Sequence, residues 1–294
     1  MPVVDQKSVF KHIISHPLFL LVVGIAFVIA AAQAAGIFGH AIVPYLGKSA
    51  WFDFGMSSIT AAMVALFYWL FVRFVERKSF TDFGLPGAGK EWLVGAGIGA
   101  GAMALTIGSI ALLGGYRVTG FNAPNVLIGM GGIAISSGVV EEILMRGLLF
   151  RFVEQWLGSW VALAFSAILF GALHLGNPNA TTLAGVAIAL EAGILLAAIY
   201  MVTRRLWAAI GLHMAWNLTQ GGIFGVAVSG FNEPGLLRNS MQGSELLTGG
   251  AFGAEASLSA IIICTAIGLF CLIRAIRTGR LVAPSWQRFK TGQA

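Results

Sequence analysis

Long apolar runs recur along this chain, and they restrict its fold more than any other feature. Each is about 20 residues long, the length that an α-helix needs to cross the hydrocarbon core of a bilayer. Eight such runs lie near residues 17–39, 56–74, 92–114, 126–149, 160–175, 182–202, 206–228 and 256–275. Hydrophobic residues make up 57% of the 294 positions and charged residues only 10%, an imbalance typical of membrane proteins. The sequence predicts an all-α polytopic membrane protein, with about eight transmembrane helices in a single membrane domain over residues 1–294.

The basic residues indicate how these helices are oriented. With the N-terminus placed in the cytoplasm, 15 of the 18 Lys and Arg residues fall on the cytoplasmic side, leaving Lys48, Arg117 and Arg238 outside. Cytoplasmic loops of membrane proteins carry such an excess of positive charge. We therefore expect a multi-pass protein of the plasma or inner membrane, with cytoplasmic termini and an even number of spans. The alternative for the first run is a cleaved signal peptide, for which it is rather long.

Several other classes of function do not fit the sequence. The net charge of +6 is spread over the ends of apolar runs, so no basic patch indicates a nucleic-acid partner. Residues 84–90 resemble a phosphate-binding loop, but Glu91 stands where a magnesium-binding Ser or Thr is required, which argues against nucleotide binding. Cys264 and Cys271 lie seven apart in one apolar run and match no metal-ligand pattern. We interpret them as reduced core residues.

Glycines alternate along the third apolar run. They are Gly95, Gly97, Gly99 and Gly101, which form overlapping pairs of small residues four apart. Small residues at this spacing allow helices to approach closely in lipid. The pattern predicts a tight helix–helix contact on this segment.

Few strongly polar residues remain inside the predicted spans. They are Glu141, Glu142, Arg146, His174, Glu191 and His213, together with the neutral Asn217. Ionisable groups at such depth cost at least a few kcal/mol each to insert, so they normally face the bundle interior and mark a functional site. Glu142 and Arg146 are four residues apart on one helix face and can pair. Glu141 is turned about 100° away from Glu142 and stays free to act.

The two histidines lie at a depth similar to that of Glu141. At about 1.5 Å per residue, all three residues fall between the cytoplasmic face and somewhat past the midplane, so they can share one cavity. His213 and Asn217 are four apart on one helix face. Each alone is equally consistent with helix packing. Glu191 has two interpretations, an acid that orients a histidine or pairs with Arg146, and a protonated Glu hydrogen-bonded to a neighbouring helix.

Three short motifs together resemble a known family. They are, in chain order, Glu141-Glu142-x-x-x-Arg146, Phe170-x-x-x-His174 and His213-x-x-x-Asn217. In this order on successive membrane helices they resemble the CPBP intramembrane proteases, the CAAX-protease and bacteriocin-processing family that includes the eukaryotic CAAX prenyl protease 2. The resemblance covers residues 125–225, the predicted catalytic core. It implies an eight-helix endopeptidase whose cavity opens toward the cytoplasm and inner leaflet, and whose partners are membrane lipids and a peptide or protein substrate, lipidated or not.

The residue chemistry supports such an activity independently, because amide hydrolysis needs an activated water and a stabilised oxyanion. Glu141 with His174 can take the proton of the water, and His213 with Asn217 can donate to the oxyanion. Glu142 and Arg146 then fix the helix that carries Glu141. The resemblance makes Glu141 the general base, and we favour a mechanism without a cofactor. The alternative is a zinc ion held by His174, His213 and Glu141.

Two other kinds of function stay open. In a proton-coupled transporter the polar residues would form a relay through the membrane, although the chain has neither an internal repeat nor paired broken helices. A non-catalytic scaffold or bacteriocin-immunity protein is the second possibility. The long outer loop before the last helix carries Glu233, Glu245 and Glu255, and we interpret it as a connection or an entrance lip rather than as a site.

Overall fold

The computed structural model of the protein describes residues 14–291, and its long helices form one bundle. We number them α1 Pro17–Leu46, α2 Ala50–Leu70, α3 Ala88–Leu112, α4 Val126–Glu142, α5 Ser159–His174, α6 Thr182–Ile188, α7 Trp207–Asn217 and α8 Leu258–Arg277. Four of them continue through a wider π-helical segment, namely α2 over Phe71–Val75, α4 over Ile143–Phe150, α6 over Ala189–Gly193 and α7 over Leu218–Ile223. After these segments α4 returns to α-helix over Arg151–Leu157 and α6 over Ile194–Thr203. The labels α2, α4, α6 and α7 include these continuations below.

Short elements complete the described chain. They are strands β1 Tyr116–Phe121 and β2 Leu237–Met241, the one-turn helix Glu245–Thr248, the 3₁₀ turn Ala254–Ala256 and the final helix α9 Ser285–Thr291. The strands pair in antiparallel fashion, with Tyr116 opposite Met241 and Phe121 opposite Leu237. The sequence analysis predicted no strands.

The local sequence sets several helix boundaries. Ser49, Thr181 and Ser257 precede α2, α6 and α8, and each side chain accepts a hydrogen bond from a backbone N–H in the first turn. Such caps satisfy donors that have no partner within the helix. Gly158 separates α4 from α5 with a φ of 86°, a conformation that glycine adopts without strain. Helix α5 ends at His174, just before residues 176–179, whose Gly, Asn and Pro favour a turn.

Six helices in the described part of the chain are long and apolar enough to cross a membrane, namely α1, α2, α3, α4, α6 and α8. The prediction of a mostly helical, multi-pass membrane protein is therefore confirmed. The predicted spans at 160–175 and 206–228 correspond to shorter helices, since α5 has 16 residues and α7 runs only from Trp207 to Ile223. The number of eight spans stays a prediction.

One end of the bundle, which we call the basic end, gathers residues 76–87, 151–158, 204–206 and 278–284. Ion pairs join these segments, namely Arg151–Glu76, Arg204–Glu154 and Arg205–Glu91. Helix α1 begins at this end, because His16 packs edge-on against Trp156 with ring centroids 5.2 Å apart. The chain before α9 also lies here, since the backbone N–H of Val282 donates to Ser159 Oγ. Both ends of the described chain thus lie on one side, whereas Lys7 and Lys11 fall outside the described residues.

The opposite end of the bundle, which we call the loop end, gathers residues 113–125, 175–181 and 224–257. The β1–β2 pair lies here, and the backbone N–H of Asn122 donates to Leu236 O over 2.8 Å. Asn177 Nδ2 donates to Ser229 O over 3.1 Å and so joins the loop after α5 to the loop after α7. The loop end therefore holds both segments that follow the predicted site helices.

Helices α3 and α7 approach each other at the alternating glycines. A Cβ atom on Gly99 would lie 2.2 Å from the backbone oxygen of Leu212, and one on Gly95 would lie 2.0 Å from α7 backbone. A Cβ atom on Gly97 or Gly101 would have no neighbouring atom within 4 Å. The predicted close contact is present, and two of the four glycines form it.

We expect Gly99→Ala to lower the stability of the protein and Gly97→Ala to leave it unchanged or slightly higher. The added methyl group at position 99 meets backbone that cannot move aside, and overpacking of this kind costs about 1–3 kcal/mol. The methyl group at position 97 enters open space and improves helix propensity. Thermal unfolding of both variants in detergent measures the difference. Equal melting temperatures would mean that the α3–α7 contact is not tight.

Candidate active site

The site is built around the point at which α4 widens from an α-helix to a π-helix, directly after Glu142. Such segments recur at functional sites because they redirect the side chains that follow. Arg146 Nη1 lies 2.9 Å from Glu142 Oε1, and both side chains are completely buried. The pair expected from the spacing of four residues is therefore present.

Arg146 also connects α4 to two other helices. Its Nη2 atom donates toward the backbone carbonyl groups of Ala192 and Gly193 on α6, at 3.3 and 3.4 Å. Its guanidinium lies over the ring of Phe170 on α5, 4.9 Å from the centroid. The Arg146 side chain thus connects α4, α5 and α6 around the site.

His213 on α7 lies between the two glutamates of α4. Its Nδ1 atom is 2.9 Å from Glu142 Oε1, and its Nε2 atom is 3.9 Å from Glu141 Oε2. A Cβ atom at Gly138 would lie 2.5 Å from Met214, so a glycine at this position of α4 lets the two helices meet. The sequence analysis paired Glu141 with His174, whereas the histidine that contacts the Glu141 carboxylate is His213.

Asn217 and His174 each have one hydrogen-bonding atom fixed. Asn217 Nδ2 donates to Ser137 Oγ over 2.9 Å. His174 Nδ1 lies 2.8 Å from the backbone oxygen of Phe170. Because a carbonyl oxygen only accepts, this contact assigns the proton to Nδ1 and leaves the lone pair on Nε2.

A cavity of about 730 Å³ contains all four predicted catalytic residues in its lining, namely Glu141, His174, His213 and Asn217. The Glu141 side chain is 34% exposed, although its Oε2 atom is covered and directed toward His213. Apolar residues form most of the remaining wall, among them Ile133, Leu144, Met145, Leu149, Leu169 and Leu173. The site is thus a mostly apolar cavity with one cluster of polar groups.

Glu191 lies beside a smaller cavity behind the site, which Glu191 and His213 both line. Its side chain is buried and lies near the thiol of Cys264 on α8. Arg146 forms its ion pair with Glu142, and the ion pairs of the described residues include none between Arg146 and Glu191. The roles of Glu191 as an acid that orients a histidine and as a protonated Glu bonded to a neighbouring helix both stay predictions. Cys264 and Cys271 are both free and buried, as predicted.

Glu255 is a polar residue that the sequence analysis did not assign to the interior. It belongs to the loop interpreted as a connection, yet only 1% of its surface is exposed and it lines the same small cavity. The backbone N–H of Ser229 donates to its carboxyl group over 2.5 Å. Burial raises the pKa of Glu255 to about 7, although the hydrogen bond from Ser229 acts in the opposite direction. The sequence of a glycine-rich loop does not show whether an acidic side chain in it is buried or exposed to solvent.

The raised pKa of Glu255 predicts a stability that depends on pH. The folded protein holds this proton up to about pH 7, whereas the unfolded chain releases it near the ordinary value of 4.5. The free energy of unfolding should therefore fall as the pH rises from about 4.5 to 7, by at most about 3 kcal/mol from this group. Glu255→Gln should flatten that part of the curve. Melting temperatures at pH 5 and pH 8 provide the measurement, and an unchanged slope in the variant would contradict the assignment.

Two further residues of the site were not predicted as members of it. Ser137 Oγ accepts a hydrogen bond from Asn217. The ring centroid of Phe170 lies 4.6 Å from that of His174 and 6.3 Å from that of His213. The Arg146 guanidinium lies over the same Phe170 ring. Each lies four residues before a predicted site residue on the same helix, Ser137 before Glu141 and Phe170 before His174. The helical spacing is the signal that could have identified them.

The zinc alternative needs three or more suitable ligands at one point. Among residues 14–291, no group of three or more His, Cys, Asp or Glu side chains is arranged to hold a metal ion. Nδ1 of His174 and Nδ1 of His213 contact Phe170 and Glu142, which leaves Nε2 of each ring as its available ligand atom. As folded, Glu141, His174 and His213 are thus not gathered into a three-ligand group.

Comparison with known proteins identifies the part of the chain that carries this site. Residues 123–219 match the family model described as type II CAAX prenyl endopeptidase, Rce1-like. No curated protein and no solved structure matched the chain. The matched segment is about a third of the chain and contains every residue from Ser137 to Asn217 that forms the site. This match supports the resemblance to the CAAX-protease family that the three motifs indicate.

Proposed function

We propose that the protein is an intramembrane endopeptidase that hydrolyses a peptide bond with a water activated by Glu141. The observation that carries this proposal is the different surroundings of the two adjacent glutamates. Glu142 is completely buried and paired with Arg146, whereas Glu141 is partly exposed to the cavity. A carboxylate with accessible surface in a low-dielectric chamber is suited to accept a proton, and a paired one is not.

In the proposed reaction, Glu141 takes one proton from the water while the water oxygen bonds to the carbonyl carbon of the substrate. The carbonyl oxygen becomes an oxyanion, and the C–N bond then breaks as the proton passes from Glu141 to the departing amine. His213 assists Glu141, because its Nδ1 contact with Glu142 directs Nε2 toward the Glu141 carboxylate. Glu142 and Arg146 thus act through the orientation of His213 and of α4.

Asn217 and His174 are proposed to act on the substrate carbonyl group. Asn217 uses one amide N–H on Ser137, which leaves its second N–H for an oxyanion. His174 lines the same cavity, with Nε2 as its unassigned ring atom. In its neutral form this atom accepts a hydrogen bond from the water, and in its protonated form it donates to the oxyanion. The substrate is a peptide or protein, and the apolar lining suits a hydrophobic or lipidated segment.

We expect the purified protein in liposomes to cleave a membrane-associated peptide at the same rate, within about twofold, before and after exhaustive chelation of metals. The absence of a three-ligand group in the described residues supports this result. Metal analysis of the active preparation is the matching control. A stoichiometric zinc ion whose removal abolishes cleavage would overturn the metal-free mechanism. Proton flux across the liposomes without any cleavage would instead favour the transporter.

A further inference from the structure

The loop after α7, residues 224–231, lies between two other segments of the loop end. On one side, Asn177 Nδ2 donates to Ser229 O over 3.1 Å. On the other side, the backbone N–H of Gly230 donates to Phe252 O over 2.7 Å. This loop therefore joins the chain that follows α5 to the chain that precedes α8.

Ser229 and Gly230 are the central residues of a tight turn in this loop, which we call the Ser229 turn. Val228 and Phe231 exchange two backbone hydrogen bonds of 2.9 Å, and the central residues have φ of 49° and 86°. Positive φ at both central positions is typical of a type I′ turn, which prefers Asn, Asp or Gly there. Glycine adopts such a φ without strain, whereas the Cβ atom of Ser229 makes it unfavourable. The conformation of Ser229 therefore needs support from its surroundings.

Glu255 provides this support from the 3₁₀ turn Ala254–Ala256. Its Oε1 atom accepts a hydrogen bond from the backbone N–H of Ser229 over 2.5 Å, and only 1% of its surface is exposed. Trp216 and Gln220 of α7 also lie near the Glu255 carboxyl group. One buried acid thus connects the Ser229 turn to α7.

Both sides of this connection end at residues of the proposed site. Ser229 lines the catalytic cavity together with His174 and Asn217, and it also lines the smaller cavity behind them. Asn177, which holds the Ser229 turn, is three residues after His174, and its backbone N–H donates to His174 O over 3.1 Å. Helix α7, on the other side of Glu255, carries Asn217. Glu255 thus lies between the two residues that are proposed to act on the substrate carbonyl group.

On the proposed peptidase function, we infer that Glu255 is a positioning residue of the active site, which holds the Ser229 turn in its positive-φ conformation and thereby fixes His174 relative to Asn217. Glu255 acts from behind, since it lines the smaller cavity and is outside the described lining of the catalytic cavity. The Ser229 turn requires the acceptor oxygen, because a buried N–H group without an acceptor favours a rearranged backbone.

Two substitutions of Glu255 separate its acceptor oxygen from its charge. Glu255→Gln keeps an oxygen for the N–H group of Ser229 and should leave kcat close to that of the unchanged protein. Glu255→Leu removes the acceptor and should lower kcat by about 10- to 100-fold, with a smaller change in KM, because reacting groups are then misplaced. Glu245→Leu is the matched control, since Glu245 is an exposed acid of the same loop end, outside the described lining of both cavities. A folded Glu255→Leu protein with kcat within about twofold of the unchanged protein would overturn the inference.

Ser229→Gly distinguishes positioning from a general loss of packing. Glycine adopts a φ of 49° without strain, so the Ser229 turn can form without the support of Glu255. The double variant Ser229→Gly/Glu255→Leu should therefore regain part of the kcat that Glu255→Leu loses, with Ser229→Gly alone as the reference. Removing a side chain at position 229 would not repair a packing defect at position 255. A folded double variant with no recovery of kcat would overturn the inference.

Nitrogen-15 NMR of histidine-labelled protein in detergent reads the surroundings of His174 without any substrate, and His174→Gln identifies its signals. Glu255→Leu should shift or broaden these signals, whereas Glu255→Gln should leave them in place. If Glu255→Leu does not fold, Asn177→Ala replaces it, because it removes the hydrogen bond between the Ser229 turn and the chain after α5. Unchanged His174 signals in the variant used would overturn the inference. If the unchanged protein cleaves no peptide, the proposed function fails, and the NMR signals alone then decide whether Glu255 positions His174.

Discussion

Glu141→Gln is expected to reduce kcat for peptide cleavage by about 10²- to 10⁴-fold, the usual contribution of a general base. The amide has the shape of the carboxyl group but cannot accept the proton of the attacking water. Stability should change little, because the Glu141 side chain is 34% exposed and its Oε2 atom lies as far as 3.9 Å from His213 Nε2. Initial rates on one peptide, together with the melting temperature of each preparation, measure both effects.

A second carboxyl group of the same cavity provides the matched control for this substitution. Glu233→Gln removes an equal charge from the part of the lining that the loop after α7 contributes, so it should alter KM more than kcat. A Glu141→Gln protein that keeps more than about a tenth of kcat would contradict the assignment of general base, as general-base removal costs at least about 10²-fold. Equal losses of kcat in both variants would point to an effect of charge in the cavity.

The sequence predicts contacts within one helix well, because helix geometry alone decides them. The Glu142–Arg146 pair follows from a spacing of four residues and is present at 2.9 Å. The partner of Glu141 depends instead on how α7 is rotated against α4. That rotation is set by close approaches at Gly138 and Gly99, and it brings His213 to the Glu141 carboxylate. A pattern of small residues predicts that helices touch, but not which side chains then face each other.

Loops are where the sequence predicted least. The β1–β2 pair joins segments more than 100 residues apart, so no local sequence pattern predicts it. Glu255 was assigned to a connection because charged loop residues are usually solvated, yet it is folded in against Ser229.

Arg146→Met is expected to destabilise the protein by about 3–5 kcal/mol, the typical result of removing one partner from a buried ion pair. Both side chains are 0% exposed, so Glu142 would be left as an unpaired acid in the core. The substitution also removes the contacts of Arg146 with α6 and with Phe170. Thermal unfolding in detergent or in lipid nanodiscs measures the loss. Arg274→Met removes an exposed Arg from α8 and is the matched control.

The double variant Glu142→Gln/Arg146→Met separates the charge from the packing. Removing both charges leaves no unpaired ion, so much of the lost stability should return, as with other buried pairs replaced by neutral groups. Activity should nevertheless stay low, because a neutral amide holds the His213 imidazole less firmly than a carboxylate 2.9 Å away. A folded, inactive double variant would assign the pair to the positioning of His213. If the double variant is as unstable as Arg146→Met, the contacts of Arg146 with α6 and Phe170 matter more to the fold than the neutralisation of Glu142.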